Sequence, residues 1–156
     1  MIAYLGLGSN INPEDNITKA KRALLDIFDK VRFSRTFESQ AVGFDGDNFF
    51  NLVAEIEVND RLEYLIAQLK KIEDVLGRVR GGEKFSSRHI DIDILLFGNM
   101  TCQKPIVLPR EEILLNAYVL WPLAELAPDL IEPVVKKTYR QLWQDFDKSS
   151  QQLQPV

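Results

Sequence analysis

Residues 87–98 read SRHIDIDILLFG, an aliphatic strand-forming run that carries two aspartates. Strand side chains alternate between faces, so Ile90, Ile92 and Ile94 share one face. Asp91 and Asp93 share the other with His89, Leu95 and Phe97. That second face is apolar at one end and anionic at the other. Two carboxylates at i and i+2 have Cα atoms roughly 7 Å apart. With side chains about 5 Å apart and an effective dielectric of about 20, they repel by about 3 kcal/mol. Either both reach solvent at a strand end, or a bound divalent cation, or a pair of ions bridged by carboxylates, relieves the repulsion.

The preceding loop, RVRGGEKFSS (78–87), and the arginine after it place Arg78, Arg80, Lys84 and Arg88 around Gly81–Gly82 and Phe85. As ordinary surface charges these would form only a solvated hairpin. Beside an acidic strand they point instead to a polyphosphate substrate, neutralised by metal from one side and clamped by guanidinium groups from the other. The glycines let such a loop open for entry and close against water. An oxygen-rich site suits magnesium, and the sequence has no Cys/His cluster for zinc.

Outward from this strand, IAYLGLG (2–8) reads as a buried strand. Asn12 and Pro13 open a helix that runs to about Lys30, with Ile17, Ala20, Leu24, Ile27 and Phe28 at helical spacing. Val31, Phe33 and Phe37 alternate as a second strand, and SQAVGFDGDN (39–48) is a loop. FFNLVAEIEV (49–58) alternates again, with Phe50, Leu52, Ala54, Ile56 and Val58 on one side. Asp60 and Glu63 have capping-box spacing before a helix through Leu65, Leu69 and Ile72, and Gly77 is placed to end it. The order βαββαβ is the ferredoxin-like arrangement. Residues 109–128 then predict two helical pieces split at Pro122, and a last helix starts at Thr138. The class is α+β: a ferredoxin-like core with additional C-terminal helices, in one domain spanning 1–156 with 149–156 as a loose tail.

Composition narrows the function. A 156-residue chain that is 46% hydrophobic supports one full core. A net charge of -4 disfavours a general nucleic-acid binder. The single cysteine, Cys102, fits a reducing compartment, and the apolar runs are too short and charge-broken to span a membrane. The start MIAYLGLGSN lacks a signal peptide's basic and apolar regions. These features describe a cytoplasmic protein without nucleic-acid or membrane partners.

LGLGSNI, FFNLV, GRVR, then R-x-x-D-I-D-I-L-L-F-G and NAYVLWPLAELAPDL occur in order from residue 2 to about 130. Together they resemble the 6-hydroxymethyl-7,8-dihydropterin pyrophosphokinase family of folate biosynthesis. The resemblance implies transfer of the terminal diphosphoryl group of ATP to the 6-hydroxymethyl group of a reduced pterin, releasing AMP, by a monomer. Asp91 and Asp93 would bind two magnesium ions that bridge the phosphates. Arg78 and Arg80 would stabilise charge during transfer, and Arg88 would hold phosphate oxygens. Glu73, Ile94 and Arg110 fall at nucleotide-side positions. Ser39, Val42, Gly43, Phe49, Asn51 and Tyr118 fall at pterin-side positions, with Asn51 reading the pterin edge and Tyr118 stacking on the ring.

Several positions depart from the family's pattern. Arg110 and Glu111 replace a usual histidine and aromatic, and Asn116 replaces a phosphate-binding arginine. Phe85 stands for a loop tryptophan, and Ser86–Ser87–Arg88 for Gly-Pro-Arg. Arg110 offers one positive charge in return. A lost charge-assisted contact costs about 1.5–3 kcal/mol, or roughly 10- to 100-fold in rate. The alternative function is therefore a catalytically weakened paralogue that binds a pterin or acts on a related one. His89 is expected to be neutral, in a packing or supporting role. An RNA-binding platform on the same framework is disfavoured by the acidic balance.

Overall fold

The structure is a computed structural model and describes residues 1–39, 48–77 and 89–156. In chain order it contains β1 (Ile2–Ser9), α1 (Pro13–Ile27), β2 (Val31–Phe33), β3 (Phe37–Ser39), β4 (Phe49–Glu57) and α2 (Leu62–Val75). There follow β5 (Asp91–Phe97), α3 (Glu112–Leu115), α4 (Ala117–Leu126), α5 (Tyr139–Asp145) and β6 (Leu153–Pro155). The strands form one antiparallel sheet in the order β5-β1-β4-β3-β6, with β2 also on β4. This is an α+β fold. It follows the expected βαββαβ order, with the second strand divided in two.

Alternation in β1 sends Ala3, Leu5 and Leu7 to one face, where they join Leu52, Ala54, Ile56, Ile92 and Ile94. Helix α1 covers this face with Ile17, Ala20 and Leu24, and α2 with Leu65, Leu69 and Ile72. Each large aliphatic side chain so buried contributes about 1.5–3 kcal/mol. On the opposite face, α4 and α5 bring Leu120, Leu123 and Tyr139 onto Tyr4, Val53, Leu95 and Leu96. That second core takes only one end of the face. Gly6, Gly8, Asn51, Asp91 and Asp93 belong to neither cluster.

The structure departs from the sequence expectations at six places. In β5, Ile94 pairs with Leu5 and Leu96 with Tyr4, so Leu95 is an extra residue, a bulge. The bulge sends both Leu95 and Leu96 to the second core, and Phe97 joins the isoleucines instead of the aspartates. The 31–37 strand breaks at Ser34, whose Oγ accepts the Val53 N–H at 2.9 Å and whose own N–H donates to the Val53 carbonyl at 2.9 Å. Asn12 caps nothing with its side chain; its backbone is left-handed (φ 39°) and α1 starts on Pro13. Helix α2 starts after Arg61 without a side-chain cap, so the Asp60–Glu63 box does not form. Pro122 lies inside α4, and the helical break falls at Asn116, whose backbone is extended. Residues 149–156 are no loose tail: β6 adds to the sheet edge beside β3. Where side chains do supply the caps, the start holds: Thr138 and Gln141 close a reciprocal capping box at α5.

Candidate active site

Three neighbouring strands build the floor of the site. Asp91 stands opposite Gly8, Gly8 opposite Asn51, and Asp93 opposite Gly6. Directly opposed residues point to the same face, so the aspartates share a face with Asn51, with Phe49 two residues before it, and with Ser39 opposite Phe49. Strand spacing puts the Asp91 and Asn51 backbones roughly 10 Å apart. Between them the glycines leave a strip without side chains. A Cβ on Gly8 would lie 2.9 Å from Asn51 Oδ1, whereas one on Gly6 would meet Leu95 at an ordinary 3.4 Å. Space, not backbone freedom, is what Gly8 supplies.

Asn51 is buried, and its Nδ2 donates to Ser39 Oγ at 2.9 Å. That bond fixes which way the amide faces and leaves one N–H and the carbonyl oxygen for a ligand with a mixed donor–acceptor edge. At the other end, β5 is the sheet edge, and the Ile92 N–H between the two aspartates donates to Glu73 Oε2 at 2.8 Å. Glu73 is 4% exposed. Its carboxylate lies at the outer edge of β5, where it holds the strand between the two aspartates.

Around Asp93 a second group gathers. The Arg110 N–H donates to the Leu95 carbonyl at 3.0 Å, at the bulge. Its guanidinium Nη2 lies 3.7 Å from Asp93 Oδ1 and 3.0 Å from Glu112 Oε1. The Asn116 amide donates to the Tyr118 hydroxyl at 3.1 Å. The Tyr118 phenol is pushed above its ordinary pKa, first by burial and then by the charges of Glu112 and Asp93, with Arg110 opposing. It therefore stays a neutral hydroxyl at physiological pH.

The structure thus brings Ser39, Phe49, Asn51, Asp91, Asp93, Arg110 and Tyr118 to one side of the sheet or its rim. Ile94 does not join them: its side chain is in the core beneath α1 and α2, and only its backbone borders the face. Arg78, Arg80, Arg88, Val42 and Gly43 lie outside the described residues. His89 sits against the end of α2, its Nδ1 3.6 Å from where a Gly77 Cβ would be, which agrees with a packing role. Sequence reasoning passed over Gly6, Gly8 and Glu112. Glycines at i and i+2 of an apolar strand were the available signal for a cleared sheet face.

Two half-buried carboxylates make an oxygen donor set, and among the described residues no group of three or more His, Cys, Asp or Glu side chains converges for a metal. This set fits magnesium, which binds through one or two carboxylates and leaves its other positions to water and substrate phosphates.

Comparison with known proteins agrees in fold and sequence. Residues 4–128 match the family described as 7,8-dihydro-6-hydroxymethylpterin-pyrophosphokinase (HPPK). The 2-amino-4-hydroxy-6-hydroxymethyldihydropteridine pyrophosphokinase of Aquifex aeolicus is 32% identical over 141 residues, 88% of each chain. The enzyme of that name from Pseudomonas aeruginosa is 37% identical over 139 residues, 83% of each chain. Among solved structures, Plasmodium falciparum HPPK-DHPS superposes with a TM-score of 0.69 at 16% identity, over 92% of this chain and 43% of that one. The chain spans less than half the length of that structure's chain, and the likeness there is of fold. On the sequence match and the shared fold, the chain belongs to the 7,8-dihydro-6-hydroxymethylpterin-pyrophosphokinase family, the pyrophosphokinases of folate biosynthesis.

Proposed function

We propose that this chain transfers the diphosphoryl group of ATP to the 6-hydroxymethyl group of 6-hydroxymethyl-7,8-dihydropterin across the glycine strip between Asp91 and Asn51. The observation that carries this reading is the row Asp91–Gly8–Asn51 on three adjacent strands. It sets a phosphate-side carboxylate and a pterin-reading amide on one face, with room for the reacting centre between them. The hydroxymethyl oxygen bonds to the β-phosphorus as that phosphorus parts from the oxygen bridging it to the α-phosphate, and AMP leaves. Asp91 and Asp93 would hold magnesium, two ions by the family resemblance, which when bound would supply positive charge against the phosphate oxygens and acidify the substrate hydroxyl. The hydroxyl proton then passes to water, and no dedicated protein base is required. Asn51, oriented by Ser39, fixes the pterin edge, and Tyr118 and Phe49 flank the ring. Arg110 turns from Asp93 toward the phosphates, in place of the cations this sequence lacks at neighbouring positions. Arg78, Arg80 and Arg88 complete the phosphate clamp from the basic loop.

The site is assembled within one chain, which supports a monomeric enzyme, and ATP as co-substrate supports a cytoplasmic one. The test is magnesium-dependent AMP formation from ATP and the pterin, by wild type and by Asp91→Asn and Asp93→Asn. Each variant is expected to lose roughly 10- to 100-fold in rate, since a charge-assisted contact is worth about 1.5–3 kcal/mol. Undiminished turnover in folded variants would refute the reading, and pterin binding without any AMP in wild type would favour the weakened paralogue.

A further inference from the structure

Residues 129–156 lie beyond the stretch that matches the family, yet the last of them reach the site from two directions. The Gln151 side chain accepts the Ala117 N–H at 2.7 Å and donates to the Leu115 carbonyl at 2.8 Å. These two groups flank Asn116, whose extended backbone separates α3 from α4. Ala117 is the first residue of α4, where an N–H has no acceptor within the helix. One amide from 34 residues away therefore closes both sides of the junction that carries Asn116 and Tyr118. Two residues later the chain becomes β6 and pairs with β3, Leu153 with Ser39, Gln154 with Glu38 and Pro155 with Phe37. The Val156 N–H bond to the Thr36 carbonyl, 2.9 Å, sets the phase of this ladder. Gln154 then faces Glu38 as a hydrogen-bonded pair, and Pro155 falls where no donor is needed. Ser39 is the residue that orients the Asn51 amide. The start of the segment is fastened too: Lys148 Nζ donates to the Trp143 carbonyl at 2.6 Å and lies 4.7 Å from that indole, which stacks on Trp121.

We propose that residues Gln151–Pro155 are a strap that positions both walls of the pterin pocket, Gln151 holding the Tyr118 wall and β6 holding the Ser39–Asn51 wall. The proposal rests on the pterin reading given above. It makes Gln151 a positioning residue, acting through the α3–α4 junction without touching substrate. Its mark is selectivity, because the strap reaches the pterin-side residues and not Glu73 or the Asp91–Asp93 strand.

The experiment uses the full chain and measures affinity for 6-hydroxymethyl-7,8-dihydropterin, by calorimetry with magnesium and a non-hydrolysable ATP analogue, together with steady-state constants. Gln151→Ala is expected to raise the pterin Kd and KM about five- to tenfold, as loss of one or two neutral hydrogen bonds would. Its kcat and ATP KM stay at wild-type values. Gln151→Glu keeps the acceptor for Ala117 and falls between the two. Gln152→Ala, at an exposed neighbour, changes nothing. Gln154→Pro, which spares Gln151 but removes a β6 donor, gives the same selective rise and serves if Gln151→Ala does not fold. An unchanged pterin Kd in both strap variants, while Asn51→Ala weakens binding, overturns the strap and leaves the pocket standing. Equal loss of pterin and ATP binding also overturns it, as a merely structural effect. If Asn51→Ala itself binds pterin normally, the pocket reading falls and the strap with it.

Discussion

Gly8→Ala puts a methyl group on the strip between Asp91 and Asn51, and its consequence can be worked from one contact. The added Cβ would lie 2.9 Å from Asn51 Oδ1, about half an ångström inside the ordinary contact that Gly6 would make with Leu95 at 3.4 Å. Strand backbone on β1 and β4 is held by a continuous register, so the amide has to give way. Rotating it breaks the 2.9 Å bond to Ser39 and turns the carbonyl away from the ligand edge. One neutral hydrogen bond is worth about 1 kcal/mol, and a polar ligand atom left unpaired adds at least about 1 more. A loss near 2 kcal/mol is roughly thirtyfold in pterin affinity. Folding stability should barely change, because alanine in place of glycine stiffens the unfolded chain by about 0.4–1 kcal/mol and offsets the lost bond. Calorimetric titration with pterin, beside a thermal melt, separates the two. Gly6→Ala is the matched control and should leave pterin affinity near wild type. The double variant Gly8→Ala/Asn51→Ala should be no worse than Asn51→Ala alone, since the obstructed atom is gone. A Gly8→Ala protein that binds pterin normally, or full additivity in that cycle, would refute the steric reasoning.

Three further outcomes follow from the same geometry. Glu73→Ala leaves the Ile92 N–H without its carboxylate; we expect about 1–3 kcal/mol lower stability by chemical denaturation and faster hydrogen exchange at Ile92. Arg110→Ala removes the cation beside Asp93 and Glu112. The Tyr118 phenol, already raised, should move higher still in a spectrophotometric titration, and the ATP KM should rise about 10- to 100-fold. Glu55 is held below its ordinary 4.5, chiefly by hydrogen bonds from Arg32, with Tyr4 adding and burial opposing. A depressed carboxylate stabilises the fold above its unfolded pKa and loses that contribution as pH falls through the folded value. Glu55→Gln should therefore be less stable than wild type at pH 7, and the gap should shrink below about pH 4.5. A gap that is constant down to pH 3 would show that Glu55 is not the group responsible.

Much of this molecule was legible because its signals are local. The short apolar run IAYLGLG, period-2 alternation in FFNLVAEIEV, and helical spacing in α1 and α2 depend only on neighbours in sequence, and each recurs in the two cores. The face shared by Asp91 and Asp93 followed from the same rule, and Asn51 joined it through register. What could not be read was set by partners far along the chain. Ser34 breaks a strand because both its hydroxyl and its N–H serve Val53. The polar tail becomes a strand only because β3 offers it an open edge. Asp60–Glu63 has the spacing of a capping box without forming one, since the helix begins one residue later than that box requires. The resemblance puts Glu73 on the nucleotide side, and only tertiary structure shows its carboxylate accepting the Ile92 N–H at the edge of β5.

How a core strand carries two aspartates comes down to where one irregularity falls. Without the bulge, strict alternation would keep Leu95 and Phe97 on the aspartate face and send Leu96 to the helix side. The extra residue at Leu95 instead places two adjacent leucines in the second core. Their side chains meet α4 and α5 there, and the apolar cover ends at that point. On the N-terminal side of the bulge the face passes to Asp93 and Asp91, with glycine rather than aliphatic carbon opposite each on β1. No apolar partner is left stranded against a charge, which is what a buried carboxylate would otherwise demand. The bulge also leaves the Leu95 carbonyl to receive the Arg110 N–H, so the residue that ends the core fixes the guanidinium beside Asp93. Core and site are thus two uses of one sheet face, separated at Leu95. A shift of the bulge by three residues toward the N-terminus would turn Asp93 away from Asp91 and dissolve the pair.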